Sequence, residues 1–177
     1  MSLSLRFFLL FAFCIYFSWE MNAQNIALYQ QFNGRYDFTF VGNTLNLGGN
    51  NTSQGCAELI APYSSAVMNL TPSQQLYKAY LYWAGSGSGD TTVQLNGQPI
   101  SAQRLFTNTL INSGLTYFSA FAEVTAAVAS TGNGTYTLSE LDVSAVLNSN
   151  AGYCTNRTNF AGWTLVIIYT DPSLPIN

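Results

Sequence analysis

Trp163-Thr164-Leu165-Val166-Ile167-Ile168-Tyr169, bounded by Gly162 and by Asp171-Pro172, is the stretch on which the fold turns. A helix that spans a bilayer needs about 20 apolar residues, so this run is too short for one. Its β-branched content and its Gly and Asp-Pro boundaries mark a strand covered on both faces.

The neighbouring sequence repeats the strand signal. Tyr36, Phe38 and Phe40 alternate with Asp37, Thr39 and Val41, up to Gly42-Asn43. A Gly- and Asn-rich loop over 46–55 follows, then 57–63, broken by Pro62. Tyr77 to Trp83 is bulky on both faces. Thr91 to Leu95 and Gln98 to Ile100 flank Asn96-Gly97, the dipeptide that suits a type I′ hairpin turn. Thr116 to Val124 places Phe118, Ala120, Ala122 and Val124 on one face, with Tyr117, Ser119, Phe121 and Glu123 on the other. Thr125 to Ala129 suits one helical turn capped by Thr125 and ended by Gly132-Asn133-Gly134. Thr135 to Leu141 predicts a strand that Leu141-Asp142-Val143 extends. These elements add up to an all-β chain, a β-sandwich of two antiparallel sheets with jelly-roll or Ig-like topology. The chain stops just after its strongest strand. A sandwich whose central strand comes last would want a further partner, so the expectation is a sandwich incomplete at the C-terminus, or the first module of something longer.

The first two dozen residues set the compartment. Met1 to Arg6 carries one positive charge, Phe7 to Trp19 is apolar, and Met21-Asn22-Ala23-Gln24 closes the stretch. That is the layout of a secretory signal peptide. Residues 1–24 are read as signal and 25–177 as the β-sandwich domain, secreted and without a membrane span after cleavage. The mature chain of about 153 residues is long enough for a real core. Cys14 would leave with the signal. Cys56 and Cys154 remain as a pair in an oxidising compartment, which predicts a disulfide, with two buried thiols as the alternative.

Only 7% of residues are charged, and the polar surface is built from Asn, Gln, Ser, Thr and Gly. Lys78 is the sole lysine, the net charge is −3, and no basic run exists, which argues against nucleic acid as a partner. Histidine is absent. This removes Ser-His-Asp and Cys-His nucleophile pairs and histidine-ligated zinc or copper.

Several strings occur in a fixed order: Ala79-Tyr80-Leu81-Tyr82-Trp83-Ala84-Gly85, Val93-Gln94-Leu95-Asn96-Gly97, Glu123-Val124-Thr125, Gly132-Asn133-Gly134-Thr135-Tyr136-Thr137 and Ala161 to Pro172. In this order they resemble the N-terminal β-sandwich region of large secreted surface proteins of gliding Bacteroidota, many of them exported by the type IX system. The resemblance covers roughly 25–177. It implies a non-enzymatic module of an adhesin-like cell-surface protein, structural or adhesive in role and connected with gliding motility. It supplies no catalytic residues.

Beside that stands a carbohydrate- or calcium-binding sandwich, free or appended to an enzyme. Asp90, Asp142 and Asp171 flank predicted loops and are the candidate ligand or calcium residues; Glu123 and Glu140 complete the set of acids near loops. A glycosidase would need two of these acids facing one cleft; solvated loop carboxylates and turn formers are the plainer reading. Tyr77, Tyr80, Tyr82, Trp83, Tyr117, Tyr136 and Trp163 are either a sugar-stacking platform or core. Gly85-Ser86-Gly87-Ser88-Gly89 lacks the lysine and helix of a phosphate loop and reads as a connection. Asn50, Asn51, Asn69, Asn133 and Asn156 each open an Asn-x-Ser/Thr triplet. Asn156-Arg157-Thr158-Asn159 is a polar loop before the buried strand that either fixes the entry to it or faces a ligand. No cofactor is expected beyond calcium, and the partners expected are extracellular or cell-surface glycans and proteins.

Overall fold

A computed structural model describes residues 28–49 and 60–177. Among the described residues, nine strands and three short helices follow one another between Phe32 and Asn177. The strands are β1 (Tyr36–Thr44), β2 (Tyr63–Met68), β3 (Gln75–Ser86), β4 (Thr92–Leu95), β5 (Gln98–Ser101), β6 (Arg104–Thr109), β7 (Thr116–Glu123), β8 (Gly134–Ser139) and β9 (Ala161–Thr170). The helices are α1 (Thr125–Thr131) between β7 and β8, then α2 (Ser144–Ser149) and α3 (Gly152–Thr155) before β9.

The strands form two antiparallel sheets, one in the order β1-β9-β3-β7-β6 and the other β2-β8-β4-β5. With β6 set aside, eight strands remain. Among them the first pairs with the last, the second with the seventh, the third with the sixth, and the fourth with the fifth. That nesting is a jelly roll, so the jelly-roll alternative holds and the Ig-like one does not. β6 widens the first sheet at its β7 edge.

The residues explain the layering. β9 buries Ala161, Trp163, Leu165, Ile167 and Tyr169 and leaves every alternate residue half-buried, the period-2 alternation of a strand with one face on the core. β3 adds Ala79, Leu81 and Trp83, β7 adds Phe118, Ala120 and Ala122, and the second sheet answers with Met68, Val93, Leu95, Tyr136 and Leu138. Three core rings satisfy their polar atoms: Trp83 Nε1 donates to the Asp90 carbonyl at 2.8 Å, Trp163 Nε1 to Ser64 Oγ at 2.9 Å, and Tyr136 Oη to the Gly132 carbonyl at 2.7 Å. Burial pushes the Tyr136 phenol above its ordinary pKa.

Four expectations change. β9 is buried on the face toward the second sheet and only half-buried on the other. It also lies between β1 and β3, with both of its edges hydrogen-bonded, so no further strand is needed to partner it. The C-terminal strand is central because the jelly roll folds the chain back on itself.

Thr125 does not cap α1. Its hydroxyl donates to Glu123 Oε1 at 3.1 Å and accepts from the Ala79 amide at 3.0 Å, which ties the helix to β3. β8 stops at Ser139, since Glu140 adopts φ 63 and turns the chain out of the ladder before Leu141. The hairpin at β4 and β5 has the expected turn, with φ 51 at Asn96 and 77 at Gly97. Among the described residues no helix is long and apolar enough to cross a membrane.

Candidate functional site

The three candidate aspartates do not share a site. Asp90 and Asp142 meet at one end of the sandwich: Asp90 Oδ2 accepts the Asp142 amide at 3.0 Å, and Asp90 Oδ1 accepts the Thr92 amide at 3.2 Å. Asp142 Oδ1 accepts the Ser144 amide at 2.7 Å. Hydrogen bonds from Ser144 hold the Asp142 carboxyl below its ordinary pKa. A proton donor needs the reverse shift.

Asp171 sits beside Ser73, just ahead of β3, whereas Asp90 follows that strand's far end. The intervening strand is 12 residues long. At ~3.3 Å per residue it keeps the two carboxylates far apart. Asp171 is buried and accepts from the Ser173 amide at 2.9 Å, the Ser173 hydroxyl at 2.7 Å and the Ser73 hydroxyl at 2.8 Å, and these bonds hold its carboxyl below the ordinary value. All three aspartates therefore close turns, as short acidic side chains do in Asx geometry. Glu123 is paired with Lys78 at 2.6 Å on the outer face of the first sheet. Among the described residues no three His, Cys, Asp or Glu side chains converge. Cys154 is half-buried on α3 against the core; Cys56, Asn50 and Asn51 lie outside the described residues.

The aromatic candidates divide by strand parity. Trp83, Tyr136 and Trp163 are core. Tyr80 and Tyr82 face outward and pack on Phe121 at ring distances of 5.6 and 5.0 Å. Tyr77 is the extra residue of a bulge in β3 and packs on Tyr36 at 4.8 Å. Tyr117 stacks on Phe160 at 5.8 Å and donates to Thr158 Oγ1 at 2.6 Å.

Two surfaces stand out, and neither is acidic. The first runs along β1 and β2, at the open side of the sandwich. Phe38, Phe40, Tyr63 and Val67 are each at least 59% exposed. Phe40 and Val67 line one groove together with Val41, Asn43 and the edge of Trp163.

The second is a cleft of about 720 Å3 between the β6–β7 turn and the loop after α3. Asn108, Leu110, Ile111 and Asn112 form one wall, Asn156 and Thr158 the other, and Leu115 is its buried floor. The turn is closed by the Leu110 amide on the Leu115 carbonyl at 2.9 Å and the Gly114 amide on the Leu110 carbonyl at 2.8 Å, with Gly114 at φ 68. The opposite wall is fixed by the Thr158 amide on the Tyr153 carbonyl at 3.0 Å. Tyr153 joins the two walls: its buried hydroxyl donates to the Thr116 carbonyl at 2.7 Å and accepts the Thr116 amide at 3.1 Å.

The sequence pointed to Asn156 and Thr158 through the polar loop that holds them. It gave no sign of Asn108 and Asn112, because Arg104–Thr109 lacks apolar alternation and β6 is an edge strand with little to bury. No protein-family model, curated protein or solved structure matches this chain.

Proposed function

We propose that the chain is a secreted, non-enzymatic module of an adhesin-like cell-surface protein of the kind found in gliding Bacteroidota, with a structural or adhesive role. The observation that carries this reading is the exposure of Phe38, Phe40, Tyr63 and Val67 on the edge strands β1 and β2, where Phe40 and Val67 share a groove, on a jelly roll whose Asp90, Asp142 and Asp171 close loops. Large apolar side chains left in water along neighbouring edge strands mark an interaction surface. The leader-like N-terminus agrees with a site of action outside the cytoplasm.

Beads coated with the secreted protein should be retained under flow on protein-coated glass, and beads carrying the Phe38→Thr/Phe40→Thr variant should be retained markedly less. Equal retention of coated and bare beads would remove the adhesive role. The Cys56–Cys154 disulfide belongs to the same reading, and reduction of the secreted protein should add the mass of two hydrogens.

A second reading, a carbohydrate-binding module, is favoured by the amide-lined cleft. Calcium has less behind it: the facing oxygens of Asp90 and Asp142 already accept backbone N–H groups, and an ion of this kind takes 6–8 oxygen ligands.

A further inference from the structure

We infer that the cleft between the β6–β7 turn and the Asn156–Thr158 loop binds a neutral oligosaccharide. The inference deepens the reading of the chain as a binding module and rests on it.

The lining decides the ligand class. The side-chain amides of Asn108 and Asn112 make no hydrogen bond with any described residue, which leaves each with an acceptor and two donors. Asn156 commits its amide nitrogen to the Gly152 carbonyl at 2.9 Å and keeps its oxygen, while Thr158 accepts from Tyr117 and keeps its own O–H to give. Planar amides and a hydroxyl, in both donor and acceptor senses, match the vicinal hydroxyls of a sugar. Ile111, 99% exposed, offers an aliphatic surface for the C–H face of a pyranose ring.

No carboxylate or ammonium group lines the cleft, so an ionic ligand would gain no counter-charge inside it. Its volume is within the range of small-ligand sites. Tyr153 holds both walls to Thr116 before any ligand arrives, which reduces the ordering a ligand must impose. Between Asn156 and Thr158, Arg157 adopts φ 57, a left-handed conformation unfavourable for a residue with a Cβ, and its side chain is not part of the cleft lining. Strained positions of this kind gather where loop geometry serves binding.

The test is an array of neutral, sialylated and sulfated oligosaccharides probed with the secreted protein, followed by calorimetric titration of the strongest neutral hit. Neutral oligosaccharides should bind. Asn108→Ala and Asn112→Ala should each weaken binding by roughly 3- to 10-fold. Ile111→Arg should abolish it, with melting temperatures unchanged. Phe40→Thr, on the other surface, should leave it intact.

Binding only to acidic glycans, no binding at all, or binding indifferent to all three cleft variants overturns the inference. Bead retention separates it from the adhesive role: retention without oligosaccharide binding removes the cleft alone, and loss of both removes the two together.

Discussion

β9 and β1 are neighbours in one sheet, paired in register with Phe38 opposite Ile168 and Phe40 opposite Val166, yet they use apolar residues to opposite ends. β9 lies between two strands and under the second sheet, so its Leu165 and Ile167 are fully buried. β1 is an edge strand, and its Phe38 and Phe40 lie on the outer face opposite the half-buried Ile168 and Val166, so they stand in water. Position in the sheet, more than residue type, decides whether an aromatic or aliphatic side chain stabilises the fold or remains available to a partner. An exposed apolar edge is ordinarily an aggregation liability, and side chains of this size left in water mark a surface available to a partner.

The contrast can be broken most severely on β9. Leu165→Ala should lower stability by about 2–5 kcal/mol, read as a shift in denaturant midpoint at unchanged m-value. Next comes the seam between the two strands. A Cβ on Gly42 would lie 2.2 Å from the Trp163 carbonyl oxygen, a backbone atom that cannot swing away. Gly42→Ala should therefore cost about 1–3 kcal/mol in the same measurement, although its site is exposed.

Smaller is the Lys78–Glu123 pair on the outer face. The hydrogen bond from Lys78, helped by Thr125 and by charge attraction and opposed by burial, holds the Glu123 carboxyl below its ordinary value of 4.5. A carboxyl with a depressed folded pKa adds stability above its unfolded value, and that contribution fades as pH falls through the folded one. Asp142 and Asp171 are shifted in the same direction. Lys78→Met should remove about 0.5–1 kcal/mol at pH 7 and almost nothing at pH 3, so that the two melting curves converge in acid. The smallest effect belongs to β1: Phe40→Thr should change stability by no more than about 0.5 kcal/mol.

The fold was largely legible because its central strands have strong local signals. Trp163 to Tyr169, Thr116 to Val124 and the Asn96-Gly97 hairpin each combine periodicity or turn chemistry with clear boundaries. β2 and β6 were not legible. Both are edge strands, Tyr63–Met68 with two serines and a half-buried alanine, and Arg104–Thr109 almost wholly exposed, so neither shows the alternation that burial on one face produces. The interaction surfaces were hidden for a related reason. Phe38 and Phe40 look like core in a one-dimensional pattern until they are known to lie on the outer face of an edge strand, and Asn108 meets Asn156 only through the tertiary approach of two loops. The acids misled because Asp90, Asp142 and Asp171 share the residue preferences of ligands and of turn formers alike.

The most direct test measures melting temperature and bead retention together on two variants of the protein, Leu165→Ala and Phe38→Thr/Phe40→Thr. The prediction is a melting temperature lower by roughly 5–20 °C with retention preserved in the first, and an almost unchanged melting temperature with retention lost in the second. Equal destabilisation of the two, or full retention in the second, would contradict the division between a core that holds shape and an edge that makes contact.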